Sequence, residues 1–243
     1  MKKLKKYLTN FLLQISKKYF TENFYSNILF LRSLKKFWKE IKKEKSFEKF
    51  SQTFEEINKF EYRITSQNNE DGIIDHIFSK VPNNRYFIEI GFGFYEFNSL
   101  NLIKKGWSGK LIDFNRDNCL VLKKLLKFFF PGSDVSIMNK KVLKENINQI
   151  INEKSDNKKK TIDFFSLDID GNDYWILKEL DLTNINVICC EYNHYLGNNV
   201  KKTIPYNPNH KFNNDGCHGA SLKAFSELLD FKGFNLIAVE SSG

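Results

Sequence analysis

Several acidic residues of this 243-residue chain stand where apolar runs end. Glu89 lies in Y-F-I-E-I-G-F-G, two residues ahead of Gly91 and with Gly93 close behind. Asp113 closes W-S-G-K-L-I-D. Asp168 and Asp170 close F-F-S-L-D-I-D, and Glu191 with Asn193 closes C-C-E-Y-N. Glycine at a turn after a strand lets backbone approach a ligand, because no Cβ intervenes. An acid about twenty residues further on sits where nucleotide-binding folds hydrogen-bond a ribose hydroxyl. Gly91, Gly93 and Asp113 together therefore point to a cofactor that contains a nucleoside.

The spacing narrows the choice. A dinucleotide site needs a third small residue in G-x-G-x-x-G, and Glu96 occupies that position. A carboxylate there would also oppose a pyrophosphate at the helix start. Glu89 suits a cationic ligand instead, such as the sulfonium or ammonium of S-adenosylmethionine, although Tyr95 stands where a third glycine is often seen. Asp168, Asp170, Glu191 and Asn193 offer oxygen ligands of the kind that hold Mg²⁺; carboxylates that only hydrogen-bond would use the same residues. Methyl transfer to a hydroxyl needs a group to take the proton, and Asp170, His194 and His218 are the candidates. His194 follows E-Y-N, and His218 opens H-G-A-S at a helix start, where a structural role is also common. Asn172 and Asp173 read equally as helix caps, while Gln67, Glu70 and Asp71 are candidate cofactor contacts or a solvated helix start.

These residues must be positioned by alternating strands and helices. Apolar runs predict strands near 86–90, 109–113, 134–138, 162–168, 186–192 and 233–239. Helical periodicity places helices near 67–81, 97–105, 116–128, 142–152, 172–180 and 219–231. Apolar strands without alternation imply a mostly parallel sheet with helices on both faces, in which ligands bind beyond the carboxyl ends of the strands. The Asn-rich stretch 193–216 is a candidate lid. A final antiparallel strand normally completes such a sheet; here the sequence stops at Gly243, just after the last expected strand, which points to a truncated sequence or an abbreviated sheet.

Net charge is confined to one end. Residues 1–60 hold fourteen Lys and Arg32 against six Glu, which accounts for the whole net charge of +9; the rest is formally neutral. The acidic strand ends are thus no basic groove for nucleic acid. Leu4, Leu8, Phe11, Leu12, Ile15 and Tyr19 form one apolar stripe, and Ile28, Leu29, Leu31, Leu34, Phe37, Trp38 and Ile41 form another. Residues 1–60 therefore read as a basic helical segment, either packed on the domain of 61–243 or lying on an anionic membrane surface. No run reaches the ~18 apolar residues of a membrane span. Four cysteines without C-x-x-C spacing suit a reducing, cytoplasmic setting.

Taken in order, S-Q-N-N-E-D-G-I-I, E-I-G-F-G-F-Y-E-F-N-S-L-N-L, K-G-W-S-G-K-L-I-D, F-F-S-L-D-I-D-G-N-D-Y-W, E-Y-N and H-G-A-S-L-K-A-F resemble the FkbM-like class I methyltransferases. The resemblance spans roughly residues 66–239. It implies a Rossmann-like fold, S-adenosylmethionine as cofactor and a hydroxyl of a sugar, glycan or related small molecule as acceptor. Two other function classes compete. A D-x-D at Asp168 and Asp170 could hold the metal of a nucleotide sugar in a glycosyltransferase, and a non-catalytic module could keep the fold alone.

Overall fold

A computed structural model describes residues 22–45, 56–153, 161–213 and 215–241. Five strands form one all-parallel sheet: β1 (Tyr86–Ile90), β2 (Ser108–Asp113), β3 (Val135–Asn139), β4 (Ile162–Leu167) and β5 (Ile185–Cys190). Their spatial order is β3-β2-β1-β4-β5. The order reverses between β1 and β4, so the chain leaves these two neighbouring strands toward opposite sides and opens a crevice at their carboxyl ends.

Successive side chains of a strand point to opposite faces, and both faces here are covered. Phe87, Leu111 and Phe164 pack on one side with α1 (Glu22–Ile41), α2 (Glu70–Lys80), α3 (Leu100–Lys104) and α4 (Arg116–Phe129). Ile88, Ile112, Phe165 and Leu167 pack on the other with α5 (Ile147–Asn152), α6 (Asp173–Glu179) and α7 (Leu222–Phe231). The result is a three-layer α/β architecture of Rossmann-like type.

The first helix belongs to this packing. Phe37 is fully buried and lies 5.4 Å from the ring of Phe129 in α4, with Trp38 stacked on the same ring at 5.5 Å. Tyr25 donates to Asp117 at 2.7 Å. Most of the stripe Ile28–Ile41 thus faces the domain; Leu31 is exposed, and Trp38 is about half exposed while one side of its ring stacks on Phe129. The stripe Leu4–Tyr19 lies outside the described residues. No helix among the described residues is long and apolar enough to cross a membrane.

One expected element is absent. Residues 233–239 form no strand, and no antiparallel strand completes the sheet among the described residues. Instead this segment is held by side chains: Asn58 donates to the Val239 carbonyl, Asn69 to Glu240, and the Ser241 amide to Glu61. Apolar content alone suggested a strand; a strand also needs a neighbour for its backbone groups, and none is in register here. The helices expected between 67 and 231 are present; four start later, at Glu70, Leu100, Ile147 and Leu222, while those at Arg116 and Asp173 start within a residue of expectation.

Candidate functional site

Gly91 follows β1 directly with φ +78°, a conformation that favours glycine. A Cβ on Gly91 would overlap the carbonyl oxygen of Asp168. The close approach that demands glycine is therefore first of all between the ends of β1 and β4. Gly93 is tight against the Glu96 carbonyl, at 3.0 Å from a built Cβ. Together the two glycines shape a compact turn before α3.

Glu89 sits behind this turn and is almost fully buried. Its carboxylate accepts from the backbone N–H groups of Asn98 at 3.0 Å and Ser99 at 2.8 Å, and from the Ser99 hydroxyl. These are donors at the start of α3, whose first N–H groups have no partner within the helix. Burial pushes the Glu89 carboxyl up to about 7, partly offset by those hydrogen bonds. Both oxygens are thus committed to the helix start. Asp113 likewise accepts from Phe92 N–H at 3.3 Å and Asn115 N–H at 2.5 Å, and burial raises its carboxyl. It joins the glycine turn to the end of β2.

The D-I-D loop is built from the helix that follows. Asp173, wholly buried at the start of α6, accepts from Ile169 N–H and Gly171 N–H, each at 2.9 Å. That clamp holds Asp170 at φ +53° and leaves its side chain exposed. The Gly219 N–H donates to the Gly171 carbonyl at 3.1 Å, which brings the segment before α7 against the loop. The Asn172 side chain pairs with both backbone groups of Asn207, and Trp175 donates to the Ile204 carbonyl. The stretch 193–216 is therefore fastened along its middle, with Pro208–Phe212 lining the cavity.

Asn193 differs from its expected part in a metal site. It is 1% exposed. Its side-chain oxygen accepts from Tyr195 N–H, and its amide nitrogen donates to the carbonyls of Gly216 and His218 at 2.8 and 2.9 Å. An amide engaged at both ends has no free oxygen for an ion; Asn193 positions His218 instead. His218 is buried, and its Nδ1 lies 3.6 Å from Glu191 Oε2. One ligand atom from each of Asp170, Glu191 and His218 lies within 4.8 Å of the others. His194 is exposed against Tyr195 and stands outside this group. Asp168, next to the group, has its carboxyl pushed well above the usual carboxylate range by burial first, and then by Glu191, Asp173, Asp170 and Glu89. Burial first, and then Asp170 and Asp173, push the Glu191 carboxyl up to about 7, partly offset by a hydrogen bond with Asp168.

A cavity of about 2050 Å³ joins these parts. Gly91, Gly93 and Asp113 line one region, and Asp168, Asp170 and Glu191 line the adjoining one. A further arm runs between β5 and residues 233–240. Glu70 lines the cavity, where burial raises its carboxyl, whereas Asp71 is turned inward and accepts from the backbone of Ile64, Thr65 and Ser66. Sequence reasoning left Asp173 open between cap and site, and passed over His210, whose ring lies over Gly171, 2.7 Å from a built Cβ. The chain matches no model of a known protein family, and no curated protein matches it.

Proposed function

We propose that the chain binds S-adenosylmethionine at the glycine turn and transfers its methyl group to a hydroxyl, in a sugar, glycan or related small molecule. The observation that carries this reading is the continuity of one cavity from Gly91, Gly93 and Asp113 to the carboxylates at the ends of β4 and β5. A nucleoside over the turn would place its reactive end toward those carboxylates, at the strand edge where such folds bind ligands. The acceptor oxygen attacks the methyl carbon in line, the carbon–sulfur bond breaks, and its electron pair stays on sulfur. The acceptor proton passes to a carboxylate of the cluster, for which Asp170, exposed at the strand edge, is the first candidate.

Calorimetry with S-adenosylhomocysteine tests the cofactor. Micromolar binding is expected. Asp113→Ala should weaken it about tenfold or more, the scale of one lost hydrogen bond to a charged group. Binding of a nucleotide sugar with Mn²⁺ and no binding of S-adenosylhomocysteine would replace this reading with glycosyl transfer. Binding of neither would leave a non-catalytic module.

A further inference from the structure

The strand ends gather three carboxylates, Asp168, Asp170 and Glu191, around a histidine, with no Lys or Arg ion pair to any of them among the described residues. Uncompensated charge at this density needs a counter-ion or protons. His218 supplies the independent indication. Its side chain is 9% exposed, and its ring nitrogens make no hydrogen bond among the described residues. The imidazole turns its Nδ1 toward Glu191 at 3.6 Å. That separation is too long for a hydrogen bond. It is ordinary for two ligands of one ion, since metal–ligand bonds of about 2.0–2.2 Å set neighbouring ligand atoms roughly 3–3.5 Å apart.

We propose that Asp170, Glu191 and His218 form a three-ligand site for a first-row divalent cation such as Mn²⁺, Fe²⁺ or Zn²⁺. The donor set decides the class. Carboxylates alone would suit Mg²⁺ or Ca²⁺, whereas an imidazole nitrogen shifts preference toward the softer transition ions. Asp170 is exposed and the Glu191 side chain is 40% exposed, so remaining coordination positions open into the cavity. Two of the three ligands are held by a neighbouring side chain: Asp173 clamps the Asp170 loop, and Asn193 carries the backbone of His218. Such outer contacts orient ligands and tune affinity. Binding of the ion does not depend on methyl transfer; only its use rests on that reading, because a bound cation would acidify and orient an acceptor hydroxyl. In the loaded state Asp170, Glu191 and His218 are ligands, and Asp168 is the neighbouring carboxylate outside the ligand set.

The test is a titration of the full chain, first stripped with a chelator, with Mn²⁺ followed by electron paramagnetic resonance and with Zn²⁺ by calorimetry. One equivalent is expected, undisturbed by Mg²⁺ in hundredfold excess. His218→Ala and Glu191→Gln should each weaken binding by more than about tenfold. Asp170→Asn serves as the variant certain to keep the fold's contacts, because its side chain is exposed and asparagine tolerates the left-handed backbone; it too should weaken binding. Absence of a saturable site for both ions overturns the proposal, as does affinity unchanged in Asp170→Asn. Displacement by Mg²⁺ at equal concentration overturns the choice of ion class. S-adenosylhomocysteine binding measured on the same preparations separates this outcome from that of the methyltransferase reading.

Discussion

A carboxyl that burial lifts to about 7 makes Glu89 a measurable part of the fold's stability. In the unfolded chain its value is near 4.5. Between those two values the folded protein holds a proton that the unfolded chain has released, so the Glu89 contribution is full below pH 4.5 and is lost as pH rises through about 7. At 1.36 kcal/mol per pH unit the change across this window is roughly 3 kcal/mol. Glu89→Gln removes the titration but keeps an acceptor oxygen for only one of the two N–H groups, so the readout is the pH slope and not the absolute stability. Urea denaturation at pH 4.5 to 8 should therefore show a decline in the native protein that flattens by that amount in the variant. Parallel pH profiles would remove Glu89 as its source. Glu89 was legible as an acid beside a glycine turn. Its use was not, because the helix start it caps lies ten residues away and only the turn's path brings Ser99 to it.

Among the elements, the contact between β1 and β4 has the least room to adjust. Gly91 follows one strand, Asp168 follows the other, and Asp168 N–H donates to the Ile90 carbonyl at 3.0 Å. Gly91→Ala would have to adopt φ +78° and drive its Cβ into the Asp168 carbonyl. The expected cost is about 3 kcal/mol or more, from strained backbone and overpacking together. Thermal melting should show it, with the loss of ion and cofactor binding following from the displaced D-I-D loop. A variant as stable as the parent would show that this turn is not tight. The five sheet strands were readable to within a residue or two because apolar runs flanked by glycine and acids are local signals. Residues 233–239 carry the same signal and form no strand, since pairing belongs to two segments and is written in neither alone.

On the scale of the whole molecule, the basic first helix is continuous with the core. Phe37 is fully buried against Phe129, and its truncation to alanine should cost about 3–5 kcal/mol in chemical denaturation. A loss below 1 kcal/mol would mean that α1 can leave without consequence, and would favour a surface role for its apolar stripe. Co-sedimentation of the full chain with anionic vesicles checks that alternative directly: pelleting that salt abolishes is the outcome expected of membrane attachment. Amphipathic periodicity identified the stripe, but the same stripe serves core packing or a lipid surface. Only the position of α4 decides what Ile28–Ile41 faces.

The sequence by itself determined the alternation of strands and helices, the parallel sheet and the acids at its carboxyl edge. Those follow from side-chain periodicity and burial, which are properties of short stretches of chain. Tertiary structure alone decided which of the acids act together. Asn193 and His218 are remote in sequence, and the Asn193 amide could bind an ion or a backbone; the loop before α7 gives it backbone carbonyls and delivers His218 to Glu191 and Asp170. A ligand set is defined by distances between side chains from different elements, and such distances exist only once the strands are ordered and the loops between them are tied.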